Sequence, residues 1–363
     1  MSAAPAKFSV SCGGTGGHVF PGVATAMALQ KRGHEVTLWL SGKAIETATR
    51  QAWTGPVVSL DAAKISTQPW RLPYTLLTLF RVYRASFYAL REQQPQALLA
   101  MGSYSSLGPV LAARRLKIPV ILHEANVIPG KAITTLARFA SAIAITFPET
   151  RKYLNHRNIH LTGLPLRKQM EETATTTLTA STDFTVLIMG GSQGAQRLNK
   201  VVPVALGRLR EAGIPVEAIH LSGENDRLAV DEAYRKARVP ATVHGFCTDM
   251  VSVYRRASLA ISRSGANSCL ELALFGIPAI LIPLPTAARN HQQANAKAMM
   301  DAGAAIMLEQ AQLSPDLLAA TIRTITDNPG TLTAMCAAAR ARSGTGADEA
   351  LADLVVKIGS SLN

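Results

Sequence analysis

KFSVSCGGTGGHVFPGVATAMALQKRGHEVTLWL, residues 7–40, is the stretch whose reading decides the fold. KFSVSC (7–12) is a short apolar run with the length of a buried strand, and it ends on a cluster of glycines. A helical pattern follows from about Pro21 to Lys31, Gly33 closes it, and EVTLWL (35–40) reads as a second strand. Strand, glycine turn, helix and strand make one βαβ unit of a parallel sheet. The same order recurs further on: FTVLIM (184–189), GGSQGA (190–195), a helix through Asn199 to Leu209, Gly213, and a strand near 216–221. The chain therefore reads as α/β with two Rossmann-like halves. Further strands are expected at 97–101, 119–122 and 142–146 in the first half, and at 241–244, 258–261 and 279–282 in the second. Helices are expected near 267–275 and 290–302, with a terminal helix at 349–358. GLPLRK and the Thr-rich TATTTLTASTD place the join between Thr162 and Asp183.

Gly13, Gly14, Thr15, Gly16 and Gly17 let the backbone approach a ligand, and the helix behind them offers free N–H groups and a positive dipole end to a phosphate. A tight turn with no ligand would use the same residues. Gly190, Gly191, Ser192, Gln193 and Gly194 repeat the device, which favours a ligand. A dinucleotide cofactor would need an acid after the second strand, where Ser41 and Gly42 stand, and no GKS or GKT follows either cluster to make a Walker loop. His18 follows the first loop at the helix start, where the dipole favours a neutral imidazole that can accept a proton; a plain loop-bonding histidine is the alternative. SRSGANSCLELALFGIPAILIPLP (262–285) is the densest signal, with small residues before a helix that carries Glu271 one turn in. Ser268 and Glu271 also fit a capping box, Ser-x-x-Glu.

The 363 residues suffice for two ordinary domains. Lys+Arg 37 minus Asp+Glu 24 leaves +13. Residues 1–165 hold 18 basic and 6 acidic residues and the rest 19 and 18, so the first half carries nearly all of the excess and a polyanionic partner is expected there. A nucleic-acid platform fits poorly, because aromatic residues are 5% of the chain and no stacking module is recognisable. Cys12, Cys247, Cys269 and Cys336 stand singly, without zinc-site spacing or disulfide density, which points to a reducing compartment. No export signal opens the sequence and no apolar run reaches membrane-spanning length. Residues 64–91 hold Lys64, Arg71, Arg81, Arg84 and Arg91 and no acid, with Trp70, Tyr74, Leu76, Leu77, Leu79 and Phe80 as an apolar side. That composition suits either the interface of an anionic leaflet or a core helix with a basic rim.

GGTGGHVFPG, MGSYSSLGP, LHEANVIPGK, GLPLR, GGSQGAQRLN, SRSGANSCLELALFGIPAILIPLP and HQQANA, in this order and spacing, closely resemble the MurG family of peptidoglycan glycosyltransferases. The resemblance runs from about residue 7 to the C-terminal helix. It implies the GT-B fold, with an acceptor and membrane-associated domain over 1–163 and a UDP-GlcNAc-binding domain over 164–342. Residues 343–363 would form a helix returning to the first domain. It further implies an inverting transfer of N-acetylglucosamine from UDP-GlcNAc to undecaprenyl-diphospho-MurNAc-pentapeptide, at the cytoplasmic face of the inner membrane, with no metal and no cofactor. Anionic lipids and cell-wall synthesis proteins are the implied partners, and no nucleic acid. By motif, the donor contacts are Thr15, Gly16, Gly17, Asn126, Arg167, Ser192, Cys247, Ala266, Asn267, Ser268, Cys269, Leu270, Glu271 and Gln292, with Glu271 on the ribose hydroxyls. Gln293 would join Gln292 on the sugar. Gly13, Gly14 and Tyr104 fall to the acceptor, and His18 or Glu124 to the catalytic base. Three departures stand out: Ser103 replaces a usual glycine, Ala125 a glutamine and Leu164 an asparagine. The same scaffold also serves other UDP-sugar enzymes, among them glycolipid glycosyltransferases and UDP-GlcNAc isomerases.

Overall fold

The computed structural model describes residues 5–42, 53–60, 72–174, 184–191 and 194–361. The chain divides into two units, Met1–Lys168 with Gly346–Asn363, and Gln169–Thr345. The first contains strands β1 (Lys7–Ser11), β2 (Glu35–Leu40), β3 (Val57–Ser59), β4 (Ala97–Ala100), β5 (Val120–Glu124), β6 (Ala142–Ile145) and β7 (Ile159–Leu161). They form a parallel sheet in the order β3-β2-β1-β4-β5-β6-β7. The second contains β8 (Phe184–Met189), β9 (Val216–Leu221), β10 (Ala241–His244), β11 (Leu259–Ser262), β12 (Ala279–Leu281) and β13 (Ala305–Met307), parallel in the order β10-β9-β8-β11-β12-β13. In both sheets the chain starts in the middle, works outward to one edge, then crosses back and works outward to the other. The crossing leaves a switch point beside β1 and again beside β8, where the turns after adjacent strands part to opposite faces.

Alternation along the strands explains why both faces of the first sheet are covered. Phe8, Val10, Ala97, Leu99 and Ile121 point to one face and pack with Ala26 and Leu29 of the helix Gly16–Lys31 and with Leu351 and Val355 of the helix Ala347–Ser360. Leu98, Ala100, Val120 and Leu122 point to the other and pack with Leu90 of the helix Leu72–Gln93 and Val110 of the helix Leu107–Arg115. Strands buried on both faces are mostly apolar, with small or hydrogen-bonded polar residues such as Ser9 and His123 among them, and this is why they read as nearly continuous runs. In the second unit Val186, Ile188, Leu259 and Ile261 join Leu198, Val202 and Leu206 of the helix Gln196–Glu211 in one core.

Three differences from the sequence reading have physical causes. The first helix starts at Gly16 and not near Pro21, because Thr15 is extended (φ −103°, ψ 164°) and caps the helix directly after the glycines. Pro21 sits inside it, and the next turn is tied back by Thr25 Oγ1, which donates to the Pro21 carbonyl at 3.0 Å. Gly22 lies so close to β1 that a Cβ there would be 2.3 Å from Cys12 Cβ. β3, β7 and β13, which the pattern did not show, are three-residue edge strands too short to display a period. The first unit ends at Lys168, inside the join expected between Thr162 and Asp183, but a helix Lys168–Ala174 occupies part of the expected linker. Residues 175–183 of that linker lie outside the described residues. The helix Ala347–Ser360 belongs to the first unit; Arg32 bonds Glu349 at 2.5 Å and Asp353 at 2.6 Å to hold it there.

Two imidazoles are locked in these cores. His123 on β5 shares a hydrogen bond with the Gly163 carbonyl at 3.0 Å. His220 on β9 meets the Tyr234 hydroxyl at 2.8 Å and Asn199 Oδ1 at 3.0 Å. Burial pushes their pKa values down to about 4 and about 3. Both are neutral in the fold, while the unfolded chain takes up their protons below about pH 6.5. Their contribution to stability is complete above that pH and is lost as the pH falls toward their folded values. Urea unfolding should thus show a falling midpoint between pH 6.5 and 4, with a shallower fall in His220→Gln; equal slopes in the two proteins would refute the assignment.

Candidate active site

The first unit builds a seat from the turns after β1 and β4, on the two sides of its switch point. Ser105 Oγ donates to the Gly13 carbonyl at 2.6 Å, and Gly14 (φ +138°) packs so close to Ser103 that a Cβ would be 2.9 Å from its Oγ. Ser103 itself has φ +66° and ψ 162°, a conformation nearly confined to glycine. The serine that replaces a usual glycine is therefore held in glycine's geometry. His18, in the first turn of the helix, is half-buried, with Nδ1 3.0 Å from Thr15 Oγ1 and its Cδ2–Nε2 edge turned to Gly102. Tyr104 is 48% exposed beside this seat.

Glu124 at the end of β5 is buried, and its oxygens accept from the Asn126 N–H at 2.8 Å, Asn126 Nδ2 at 3.1 Å and the Gly130 N–H at 2.8 Å. Burial raises its pKa, and these donors offset that rise only in part. The carboxylate is committed to shaping its own loop, which makes it a poorer base than His18. Arg167 lies in this unit too, exposed, with its guanidinium 5.3 Å from the centre of the Phe20 ring.

The second unit holds a cavity of about 540 Å³ at its own switch point. Gly190, Gly191 and Gly194 line one side, after β8; Gly265 and Ser268 line another, after β11, with Gln292. Gly265 caps the helix Ala266–Phe275, so the cavity receives the N–H groups of a helix start. Ser268 is the third helical residue and not its cap, and Glu271 accepts from the Tyr254 hydroxyl at 2.7 Å. The capping-box reading of this pair is therefore set aside.

Asn267, Ser268 and Glu271 form the partly exposed face of that helix. Ala266, Cys269 and Leu270 are buried, burial lifts the Cys269 thiol to about 12, and the Cys269 N–H donates to the Gly265 carbonyl at 3.0 Å. Asn295, fully buried, donates to the Ser264 carbonyl at 3.0 Å, and Ser264 Oγ donates to the Gln292 carbonyl at 2.8 Å. These bonds dock the HQQANA helix on the loop. Gln292 Oε1 accepts from the Leu284 N–H at 2.9 Å. Gln293 lines a neighbouring pocket of about 230 Å³ with Asn290 and Glu309. Cys247, past the end of β10, lies outside both pockets and bonds the Asp249 carbonyl. Ser192 is outside the described residues.

Comparison with known proteins agrees with this geometry. Residues 8–145 match the glycosyltransferase family 28 N-terminal domain, and residues 185–353 match the family 28 C-terminal domain. The chain belongs to glycosyltransferase family 28. Two family-28 relatives are named UDP-N-acetylglucosamine–N-acetylmuramyl-(pentapeptide) pyrophosphoryl-undecaprenol N-acetylglucosamine transferase. The one from Pelobacter propionicus is 35% identical over 348 residues, covering 89% of this chain and 92% of its own. The one from Geobacter sulfurreducens is 35% identical over 357 residues, covering 96% and 98%. The crystal structure of Acinetobacter baumannii MurG superposes with a TM-score of 0.81 at 29% identity, over 97% of this chain and 100% of that one. A UDP-GlcNAc 2-epimerase from Neisseria meningitidis, at 12% identity and a TM-score of 0.69, shares the fold alone. The two parallel-sheet units are those of a GT-B glycosyltransferase, the architecture expected from the sequence.

Arg263 lines the same cavity, although the motifs gave it no role. Half-buried at the cavity wall, it donates to the Ile282 carbonyl at 3.0 Å and to Gln310 Oε1 at 2.6 Å, fixing the chain beyond β12. Its place inside SRSGANS was the available signal. Gly194 tests the glycine loop directly, because at φ +74° a Cβ would fall 1.9 Å from the Ser222 carbonyl oxygen. Gly194→Ala should weaken UDP binding at least ~10-fold while leaving the first unit's amide protection intact. Titration calorimetry and hydrogen exchange check both, and unchanged UDP affinity would remove the loop from the site.

Proposed function

We propose that the protein transfers N-acetylglucosamine from UDP-GlcNAc to the 4-hydroxyl of undecaprenyl-diphospho-MurNAc-pentapeptide, converting lipid I to lipid II with inversion. The observation that carries this is the near full-length match to transferases named for that reaction, and the site chemistry supports it. The second unit binds the donor: the glycine loop and the start of the helix Ala266–Phe275 turn N–H groups toward the diphosphate, with Glu271 on the ribose and Gln292 on the sugar. As the acceptor oxygen bonds to the sugar's C1, the C1–O bond to the diphosphate breaks and negative charge grows on the departing UDP. Fixed N–H dipoles stabilise that charge without rearranging.

The first unit serves the acceptor. His18 takes the hydroxyl proton on Nε2 while Nδ1–H donates to Thr15 Oγ1. Glu124 holds the loop that presents Asn126. Gly13, Gly14 and Tyr104 are assigned to the acceptor, and Arg167, Thr15, Gly16 and Gly17 to the donor.

The helix Leu72–Gln93 supplies the membrane contact. Tyr74, Leu76, Leu77 and Phe80 are 47–67% exposed near its start, and Arg81, Arg84 and Arg91 follow. No helix among the described residues is long and apolar enough to cross a membrane. On this reading the exposed apolar and basic side chains of the helix Leu72–Gln93 hold the enzyme at the anionic lipids of the cytoplasmic face.

Incubation with labelled UDP-GlcNAc and the undecaprenyl acceptor should yield the disaccharide lipid, with UDP released only when acceptor is present. His18→Ala should cut kcat by ~10² to 10⁴ and erase the acidic limb of the kcat/KM pH profile, while Glu124→Gln keeps that limb. Retention of the limb in His18→Ala would move the base elsewhere. Separately, Leu76→Asp with Phe80→Asp should abolish sedimentation with phosphatidylglycerol vesicles and leave activity on a water-soluble acceptor within about twofold. Unchanged sedimentation would give these side chains another use.

A further inference from the structure

Tyr254 lies on the helix Met250–Arg256, just before β11, and only 1% of its surface is exposed. Its ring leans on Phe275 with centroids 5.1 Å apart, and its oxygen is 3.7 Å from the Met189 sulfur at the end of β8. The O–H donates to Glu271 Oε2 at 2.7 Å. A buried phenol is thereby aimed at the carboxylate that lies one helical turn beyond Ser268, a residue of the cavity wall.

We infer that Tyr254 is a positioning residue for nucleotide recognition, fixing the Glu271 carboxylate so that both of its oxygens meet the two ribose hydroxyls of the donor. The inference rests on the reading of Glu271 as the ribose ligand. A glutamate side chain turns about three bonds, and gripping a diol requires the carboxylate plane to lie along the line of the two hydroxyls. Each carboxylate oxygen accepts more than one hydrogen bond. Tyr254 takes one of these directions on Oε2, which fixes the plane of the carboxylate. Packing alone would not require the hydroxyl, since a phenylalanine fills the same space between Phe275 and Met189.

The test compares UDP with 2′,3′-dideoxy-UDP by titration calorimetry, using the intact protein, Tyr254→Phe and Glu271→Ala. The unaltered protein should prefer UDP by roughly 10- to 100-fold, the worth of hydrogen bonds to a charged group, and Glu271→Ala should erase the preference. Tyr254→Phe should shrink the preference by about 5- to 20-fold and leave the affinity for the dideoxy ligand within about twofold, because the lost bond acts only through the diol. In turnover its loss should fall more on the KM for UDP-GlcNAc than on kcat. Equal weakening of both ligands in Tyr254→Phe would make the residue a packing element and overturn the inference, as would an unaltered preference. A preference that survives Glu271→Ala would overturn the ribose reading itself and the inference with it. Melting curves of the variants separate these outcomes from misfolding.

Discussion

A parallel sheet that begins with a central strand has to reverse its order of growth once, and at that reversal the turns leaving two neighbouring strands part to opposite faces. Both sheets obey this constraint, beside β1 and beside β8, and the candidate site is built at those two places. The crevice brings together the ends of two strands and the start of at least one helix. Backbone N–H groups converge there that the fold cannot satisfy internally. The glycines are the local answer, since a side chain in either turn would fill the crevice or strike the opposite loop. Ser103 shows how strict the requirement is: where the chain carries a serine, the backbone still takes glycine's conformation, at a cost of about 1–3 kcal/mol.

Much of this arrangement was legible in the sequence, and the reason is physical. A buried parallel strand is mostly apolar, a tight βα turn favours glycine, and the two signals occur back to back at 7–17 and at 184–194. Central strands were located to within about a residue, whereas β3, β7 and β13, at the edges, carry three residues each and no period. Pro21 misplaced the first helix because proline commonly opens a helix, yet here Thr15 had already done so. At the site, motif order found the loops, but it could not tell side chains from backbone. Asn267, Ser268 and Glu271 share a helix face toward solvent while Cys269 and Leu270 turn inward, a distinction set by helical phase. Glu124 illustrates the opposite limit. Its motif marks it as important without revealing that three N–H donors from its own loop already use the carboxylate. Tyr254 had no sequence signal at all, since a buried tyrosine is ordinary until its hydroxyl is seen to end on Glu271.

The uneven charge now has a structural counterpart. Basic residues crowd the first unit, along the helix Leu72–Gln93 and the neighbouring helix Leu107–Arg115, where an anionic lipid surface would repay them. The second unit, which is nearly neutral, seats its ligand on N–H groups of the glycine loop and a helix start, with Arg263 bound to carbonyls and Gln310. Dipoles that are already oriented stabilise charge appearing on a leaving group without holding the product as tightly as a cluster of cations would. That division suits an enzyme that must release UDP at every turnover while staying at a surface.

Placement also sorts the histidines. A general base has to change protonation near neutral pH, so its imidazole cannot be deeply desolvated; a structural histidine can be, provided that it stays neutral and hydrogen-bonded. His123 and His220 meet the second description, buried in strands with pKa values pushed to about 4 and 3, and His123 anchors the Gly163 carbonyl one residue away from Glu124. His18 is placed differently: half-buried, its Nδ1 3.0 Å from Thr15 Oγ1, at a helix start beside the turn after β4. Under the proposed assignment proton transfer takes place at the rim of the first sheet, while the histidines inside the cores stay neutral and hold the geometry around it.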